Sequence, residues 1–107
     1  MATINEWDEA AFAAAAASGT VMADFYAVWC GPCKSMMKVL EKTAADFSDE
    51  TVKIGKVNIE ACPELTQKFR VRTVPTFIVL KNGEEISRLV GVTTQKALTE
   101  ALQDAIK

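Results

Sequence analysis

The chain has 107 residues, 50% of them hydrophobic and 24% charged, so we expect a single domain over residues 1–107 with one hydrophobic core. Twelve Lys and Arg against 14 Asp and Glu leave a net charge of −2, which argues against the basic face that nucleic-acid binding needs. The absence of histidine excludes Ser-His and Cys-His catalysis and any imidazole metal ligand. Three cysteines are too few for a four-cysteine zinc site. Any chemistry therefore falls to thiols, carboxylates, lysines or the backbone.

The alanine-rich segment 10–17 is predicted to be a helix, capped by Asp8 and ended at Ser18-Gly19. It is not the apolar part of a signal peptide, because the residues before it are acidic and include no Lys or Arg. It is also too short to cross a bilayer. We therefore expect no membrane association and a cytoplasmic location. In that reducing compartment a close pair of cysteines is more often catalytic or metal-binding than a structural cross-link.

The remaining pattern alternates strands and helices after a short first strand and the alanine helix. We predict a strand buried on both faces at 21–28, a helix from Cys33 to about Phe47, a strand over 52–59, a short helix from Pro63, a strand at 76–80, a return strand at 84–90 and a closing helix with an apolar stripe from Leu98 to Ile106. Asn82-Gly83 is a strong hairpin signal between the last two strands. Alternation implies parallel pairing and the hairpin adds antiparallel strands. The predicted fold class is α/β, with a mixed sheet and helices on both faces.

Cys30 and Cys33 lie three residues apart at a predicted strand-to-helix junction. On the first helical turn this spacing puts both sulfurs on one side, close enough to bridge, and the positive helix end favours a thiolate. Cys30 precedes the helix body, so we expect it to be the more accessible sulfur and the nucleophile, with Cys33 as the resolving thiol. Such a pair is also half of a zinc site. The chain offers no second pair, and Cys62 with carboxylates would be an unusual ligand set, so we favour redox chemistry and predict no metal.

The segment around this pair resembles the active-site segment of thioredoxins: residues 23–34 read ADFYAVWCGPCK. The resemblance continues at family spacing through KVNI, VRTVPT, KNGE and VG, at 56–59, 71–76, 81–84 and 90–91. It covers nearly the whole chain and implies the thioredoxin fold, a central mixed sheet of about five strands flanked by about four helices. It also implies a general thiol–disulfide oxidoreductase with no bound cofactor, whose redox-active group is the Cys30–Cys33 disulfide.

The resemblance further implies that Asp24 handles a proton. Asp24 lies within an apolar run, six residues before Cys30, where the family has a buried aspartate that exchanges protons with the resolving cysteine. Without histidine it is the natural base, although it could also be an ordinary strand-end or solvent-facing carboxylate. Lys56 matches the family lysine near that aspartate and would modulate it. By itself, Lys56 could be a solvent-facing strand lysine.

The resemblance also predicts a flat, mostly apolar docking face around Cys30. In the family the proline that corresponds to Pro75 is cis and leaves the preceding backbone free to pair with an extended substrate segment, whereas trans is the default for X–Pro bonds in general. The predicted face comprises Trp29, Gly31, Pro32, Val74, Pro75, Gly91 and Val92. Trp29 could alternatively be a core residue, and Gly91 a bulge.

Four residues depart from the family pattern. Lys38 replaces a helix-kinking proline, so the helix after the cysteines is expected to be straighter. Tyr26 stands at a position where tryptophan is common, with a hydroxyl that needs a partner, and Val28 stands where the residue is often acidic or proline. Cys62 is an extra cysteine. It can be either a small inert residue or an exposed regulatory thiol.

The resemblance implies a monomer with two kinds of partner. One is an NADPH-dependent thioredoxin reductase, and the other is disulfide-containing proteins of the ribonucleotide reductase, peroxiredoxin or methionine sulfoxide reductase type. Gly31-Pro32 between the cysteines matches the reducing members of the family, because the oxidising members usually carry a histidine there. The alternative is a specialised electron donor dedicated to one peroxide or methionine-sulfoxide repair system. A purely structural subunit is disfavoured, because it would need neither the cysteine pair nor Asp24 and Pro75.

Overall fold

A computed structural model describes all 107 residues as five strands and four helices. In chain order these are β1 (Ile4–Glu6), α1 (Glu9–Ala16), β2 (Thr20–Tyr26), α2 (Gly31–Ala45), β3 (Val52–Asn58), α3 (Pro63–Lys68), β4 (Thr76–Lys81), β5 (Glu84–Val90) and α4 (Gln95–Ile106). The predicted alternation is confirmed. Asp8 caps α1 as expected, with its Oδ1 accepting from the Ala11 N–H at 2.8 Å. None of the helices combines the length and the apolar character that a membrane crossing requires.

The five strands form one mixed sheet in the order β1-β3-β2-β4-β5. β3 pairs in parallel with both β1 and β2, whereas β4 pairs antiparallel with β2 and with β5. The register aligns Glu6 with Lys56 across β1 and β3, and Lys56 with Asp24 across β3 and β2. These three residues therefore form one row across the sheet. The fold class predicted from the sequence, a mixed sheet with helices on both faces, is confirmed.

Two hydrophobic cores lie on opposite faces of the sheet. One is formed with α2 and α4 and contains Met22, Met36, Leu40, Phe77, Leu98 and Leu102 among others. The other is formed with α1 and α3 and contains Phe12, Val21, Ala23, Phe25 and Leu65 among others. Because successive strand residues point to opposite faces, Asp24 faces the same side as Met22, toward α2. Residues 21–25 of β2 are all buried, as the continuous apolar run predicts.

The predicted hairpin between β4 and β5 is present and is tied to the start of β2. Asn82 and Gly83 have φ angles of 51° and 85°, the positive values that a tight two-residue hairpin turn requires. The Asn82 N–H donates to the Gly19 carbonyl at 3.0 Å, and the Gly19 N–H donates to Asn82 Oδ1 at 2.9 Å. The turn is therefore bound to the start of β2, at the end of the sheet opposite to the cysteine pair.

The indole of Trp7 packs directly against Gly55 on β3. Trp7 is buried, makes an edge-to-face contact with Phe12 at a centroid distance of 6.1 Å, and leaves no space for a side chain at Gly55. A Cβ at that position would overlap the six-membered ring. The close approach of Trp7 therefore requires glycine at this position of the strand.

We predict that Gly55→Ala lowers the free energy of unfolding by about 1–3 kcal/mol, because the added methyl group forces Trp7 out of its packed position. Urea denaturation followed by tryptophan fluorescence measures the change. Gly31→Ala is the matched control, because a Cβ there meets nothing within 4 Å. An equal loss of stability in both variants would contradict the prediction.

Candidate active site

Cys30 and Cys33 lie where β2 leads into α2. Cys30 is the N-cap of α2 with extended backbone angles, φ −89° and ψ 108°, and Pro32 occupies the first turn, where its missing N–H costs no helical hydrogen bond. The two cysteines form a disulfide, with their Cα atoms 5.3 Å apart. The predicted geometry, in which a spacing of three residues brings both sulfurs together, is confirmed.

The helix start stabilises the Cys30 sulfur specifically. The Cys33 N–H donates to Cys30 Sγ at 3.1 Å, the contact that a serine or aspartate oxygen makes at an ordinary N-cap. When the disulfide is open, this N–H and the positive end of the helix dipole favour a thiolate at Cys30 over a thiol. The capping position therefore distinguishes Cys30 chemically from Cys33.

Exposure does not distinguish the two sulfurs, contrary to the expectation that Cys30 is the more accessible. Cys30 is 4% exposed and Cys33 is 3% exposed. The reason is tertiary, because the Val74 carbonyl oxygen lies 3.7 Å from Cys30 Sγ and Val74 packs against the cysteine pair. The surroundings differ nevertheless. Cys30 meets the Val74 loop, whereas Cys33 lines a pocket of about 190 Å³ beside α2.

Asp24 is fully buried, and neither of its carboxylate oxygens has a hydrogen-bond partner. Burial raises the pKa of Asp24 to about 7, while Lys56 acts to lower this pKa and Glu6 to raise it. A solvent-facing carboxylate, the alternative left open by the sequence, does not match this position. Asp24 lies on the sheet face that α2 covers, and this places an ionisable group with a near-neutral pKa on the side of the sheet where Cys33 lies.

Lys56 has a defined position beside Asp24. Its ammonium lies 4.0 Å from Glu6 Oε1 and 4.3 Å from the centre of the Tyr26 ring. The Tyr26 hydroxyl in turn donates to Glu6 Oε2 at 2.8 Å. Tyr26, which stands where the family commonly has tryptophan, therefore has the hydrogen-bond partner that its hydroxyl needs. Sequence reasoning missed Glu6, because only the pairing of β1 with β3 brings it to this place.

The residues of the predicted docking face lie on the loops and the helix start next to Cys30. Trp29 is 66% exposed and Val92 is 68% exposed, so Trp29 is not a core residue. The Val74–Pro75 peptide bond is cis, as the resemblance implies. The Gly91 N–H donates to the Pro75 carbonyl at 2.8 Å and so joins the two loops. Gly31 and Pro32 are exposed in the first turn of α2.

Cys62 is buried, so the exposed regulatory thiol considered above is wrong. Its side chain is 1% exposed, and its Sγ–H donates to the Trp7 carbonyl at 3.7 Å. Burial, reinforced by the carboxylates of Glu9 and Asp8, raises the pKa of the thiol and disfavours a reactive thiolate. Cys62 therefore has the character of a small core residue.

The other two departures have simple structural outcomes. α2 continues without interruption through Lys38, as expected for a helix without the family proline. Val28 is 59% exposed and lines the pocket beside Cys33. The metal alternative has no ligand set, since no group of three or more Cys, Asp or Glu side chains could hold an ion. The redox-active group present is the disulfide itself.

Comparison with known proteins agrees with this geometry. Residues 3–104 match the model of the Thioredoxin family. The chain belongs to the thioredoxin family. It is 39% identical to thioredoxin from Bacillus subtilis over 100 residues, 94% of each chain, and 34% identical to chloroplastic thioredoxin Y1 from Arabidopsis thaliana, of whose length the match spans 50%. The crystal structure of Malassezia sympodialis thioredoxin superposes with a TM-score of 0.90 at 28% identity, covering 100% of this chain and 94% of that one.

Membership of the thioredoxin family confirms the resemblance and the fold that the sequence predicts. The family and the Cys30–Cys33 disulfide together make the chain a thiol–disulfide oxidoreductase. Chemically, the pair can cycle between a dithiol and a disulfide, while the buried carboxyl of Asp24 can exchange a proton at neutral pH.

We predict that Asp24→Asn becomes increasingly more stable than the parent protein as the pH rises. A folded-state pKa of about 7 against an ordinary 3.8 means that the folded protein holds a proton that the unfolded chain releases. The parent therefore loses stability between about pH 4 and pH 7, by up to about 4 kcal/mol, and the loss is complete above pH 7. Urea denaturation of both proteins at several pH values measures the difference. A difference that stays constant from pH 4 to pH 8 would contradict the raised pKa.

Proposed function

We propose that residues 1–107 act as one unit that reduces disulfide bonds in many target proteins. The observation that carries this proposal is the Cys30–Cys33 disulfide at a helix N-terminus, where the Cys33 N–H donates to Cys30 Sγ. The buried Asp24 lies on the sheet face that this helix covers and supports the same proposal. This combination supplies a stabilised thiolate, a second thiol one turn away and a group that exchanges a proton.

In the proposed reaction, the Cys30 thiolate attacks one sulfur of a target disulfide. A Cys30–target bond forms, the target disulfide breaks and one target thiolate leaves. Cys33 then attacks Cys30 Sγ, the internal disulfide forms, and the second target thiolate leaves and is protonated. Two electrons pass from the cysteine pair to the target. The hydrogen bond from the Cys33 N–H to Cys30 Sγ supports Cys30 as the nucleophile.

Asp24 is proposed to accept the proton that Cys33 loses in the second step. A group with a pKa of about 7 is present in both its protonated and its ionised form at neutral pH, so it can take up a proton and return it. Asp24 has no other partner for its oxygens, and it faces α2, which carries Cys33. Lys56 is proposed to modulate Asp24, because its positive charge opposes the rise in pKa that burial causes.

Targets are proposed to bind the face formed by Trp29, Gly31, Pro32, Val74, Pro75, Gly91 and Val92. The Val74 N–H makes no hydrogen bond within the chain, and its carbonyl oxygen meets only Cys30 Sγ. Both groups can pair with an extended target segment, which is recognition by strand addition. Trp29 and Val92 are apolar and exposed, and Val92 directly follows Gly91, whose N–H donates to the Pro75 carbonyl. Main-chain pairing accepts many sequences, which suits a general carrier.

The oxidised pair is proposed to be reduced again by an NADPH-dependent thioredoxin reductase. The proposed targets are enzymes that form a disulfide in each turnover, of the ribonucleotide reductase, peroxiredoxin or methionine sulfoxide reductase type. We further propose that the protein works as a monomer in the cytoplasm, where thiols are kept reduced. A donor dedicated to one repair system would use the same chemistry with a narrower docking face.

We predict that Cys30→Ser abolishes reduction of insulin disulfides in the presence of dithiothreitol, because the nucleophile is lost. Cys33→Ser should still attack but should not release its target, so mixed disulfides accumulate and appear on non-reducing gels. Cys62→Ser is the matched control and should keep full activity, because Cys62 is a buried thiol outside this chemistry. Activity in Cys30→Ser, or the absence of trapped targets with Cys33→Ser, would contradict the assignment.

A second prediction concerns the electron source and the range of targets. With NADPH and a bacterial thioredoxin reductase, the protein should support NADPH oxidation, followed at 340 nm, with insulin and with a peroxiredoxin as separate acceptors. Both acceptors are expected to turn over, because the docking contacts are made largely by the backbone. Turnover with only one repair enzyme would favour the dedicated donor. If dithiothreitol reduced the Cys30–Cys33 disulfide but NADPH with the reductase did not, thioredoxin reductase would be rejected as the electron source.

A further inference from the structure

Three side chains beside Asp24 form a connected cluster that the reaction above does not use as a whole. The Lys56 cluster consists of Glu6 on β1, Lys56 on β3 and Tyr26 on β2. The Tyr26 hydroxyl donates to one oxygen of Glu6 at 2.8 Å, and the Lys56 ammonium lies 4.0 Å from the other oxygen. The same ammonium lies 4.3 Å from the centre of the Tyr26 ring. Each member therefore contacts both of the others.

The strand register explains why this cluster lies next to Asp24. Lys56 is the direct neighbour of Glu6 on one side and of Asp24 on the other. Tyr26 follows Asp24 by two positions on β2, so both side chains point to the same face of the sheet. Lys56 thus lies between two carboxylates, one on an exposed residue at the sheet edge and one fully buried in the sheet.

Lys56 is paired with the outer carboxylate and not with the inner one. Its only ion pair is with Glu6, and both oxygens of Asp24 remain without a partner. The ammonium is therefore directed to Glu6, although Asp24 is its direct neighbour in the strand register. The hydrogen bond from Tyr26 fixes the Glu6 carboxylate, and the face of the Tyr26 ring attracts the ammonium through a cation–π contact.

We propose that Glu6 and Tyr26 are positioning residues that hold the Lys56 ammonium away from Asp24 and so keep Asp24 free to take up and return a proton. The proposal rests on the proton-exchange role of Asp24 set out above. It assigns a task to two residues that take no part in the reaction proposed above.

The electrostatic consequence has a definite sign. If Lys56 turned toward Asp24, a positive charge at contact distance would stabilise the ionised carboxylate and lower the pKa of Asp24 from its value of about 7. Asp24 would then remain ionised at neutral pH and accept a proton less readily. Loss of the Glu6 charge lowers the same pKa directly as well, so a single substitution does not separate the two effects.

The other groups that face Asp24 do not interfere in the oxidised protein. From α2 the relevant group is Cys33, which does not titrate while it is in the disulfide. From β4 the neighbour in register is Phe77, which carries no charge. Lys34 lines the pocket beside Cys33 and stays unchanged in every variant below. Glu6, Tyr26 and Lys56 complete the set.

The test is a double-mutant cycle on the titration of the Asp24 carboxyl carbon, followed by carbon-13 NMR in the oxidised protein and assigned through Asp24→Asn. Glu6→Gln is expected to lower the midpoint by about one pH unit or more. In a Lys56→Met background the same substitution should cause less than half of that shift, because the ammonium that Glu6 positions is gone. Tyr26→Phe keeps the ring but removes the donor to Glu6, and should shift the midpoint in the same direction by a smaller amount.

Glu100→Gln is the matched control, because it removes one negative charge from an exposed i,i+4 pair on α4, and should leave the midpoint unchanged. An equal shift from Glu6→Gln in both backgrounds would overturn the proposal, since Glu6 would then act by its charge alone, as would the absence of any shift. Failure of the underlying function is a separate result. If Asp24→Asn reduced insulin with an unchanged pH profile, the role of Asp24 would fail while the titration still decided the position of Lys56.

Discussion

Burial of β2 on both faces is the constraint on which the rest of the site depends. The strand pairs with β3 and β4 and is covered by helices on each side, so every residue from Val21 to Phe25 is inside the protein. Asp24 is therefore held in an apolar environment with no hydrogen-bond partner. The same strand ends just before Cys30, so its position also fixes where α2 begins and where the disulfide lies.

This arrangement places a reactive group at a cost in stability. Burial raises the pKa of the Asp24 carboxyl to about 7, so the fold is destabilised at any pH at which this carboxyl is ionised. An apolar residue of the same shape at this position would avoid that cost. The sheet tolerates Asp24 because two hydrophobic cores pack on its faces. The surrounding charges then adjust the pKa of Asp24 that burial has raised: Lys56 lowers it and Glu6 raises it.

Most of the fold could be predicted from the sequence because the residues that specify each element lie close together along the chain. The Asp8 cap, the Asn82-Gly83 turn and the spacing of Cys30 and Cys33 each act over a few residues, and all three are present as expected. The predicted accessibility of Cys30 was not found, because the Val74 loop, distant in sequence, covers it. Glu6 was missed for a related reason. A single exposed acidic residue near the start of the chain carries no local sign that it will face Lys56.

The sequence by itself determined the reactive groups, which are a thiol pair without histidine and an aspartate within an apolar strand. It also determined local structure such as the hairpin with its turn residues. These follow from residue type and short-range geometry, which do not depend on distant contacts. Only the tertiary structure decided how far each group is from water and which charges surround it. Burial and charge pairing depend on strand register and helix packing, and these placed Cys62 in the core, left Asp24 unpartnered and brought Lys56 to Glu6. The cysteine pair could be predicted from the sequence alone, whereas the charges around it could be known only from the fold.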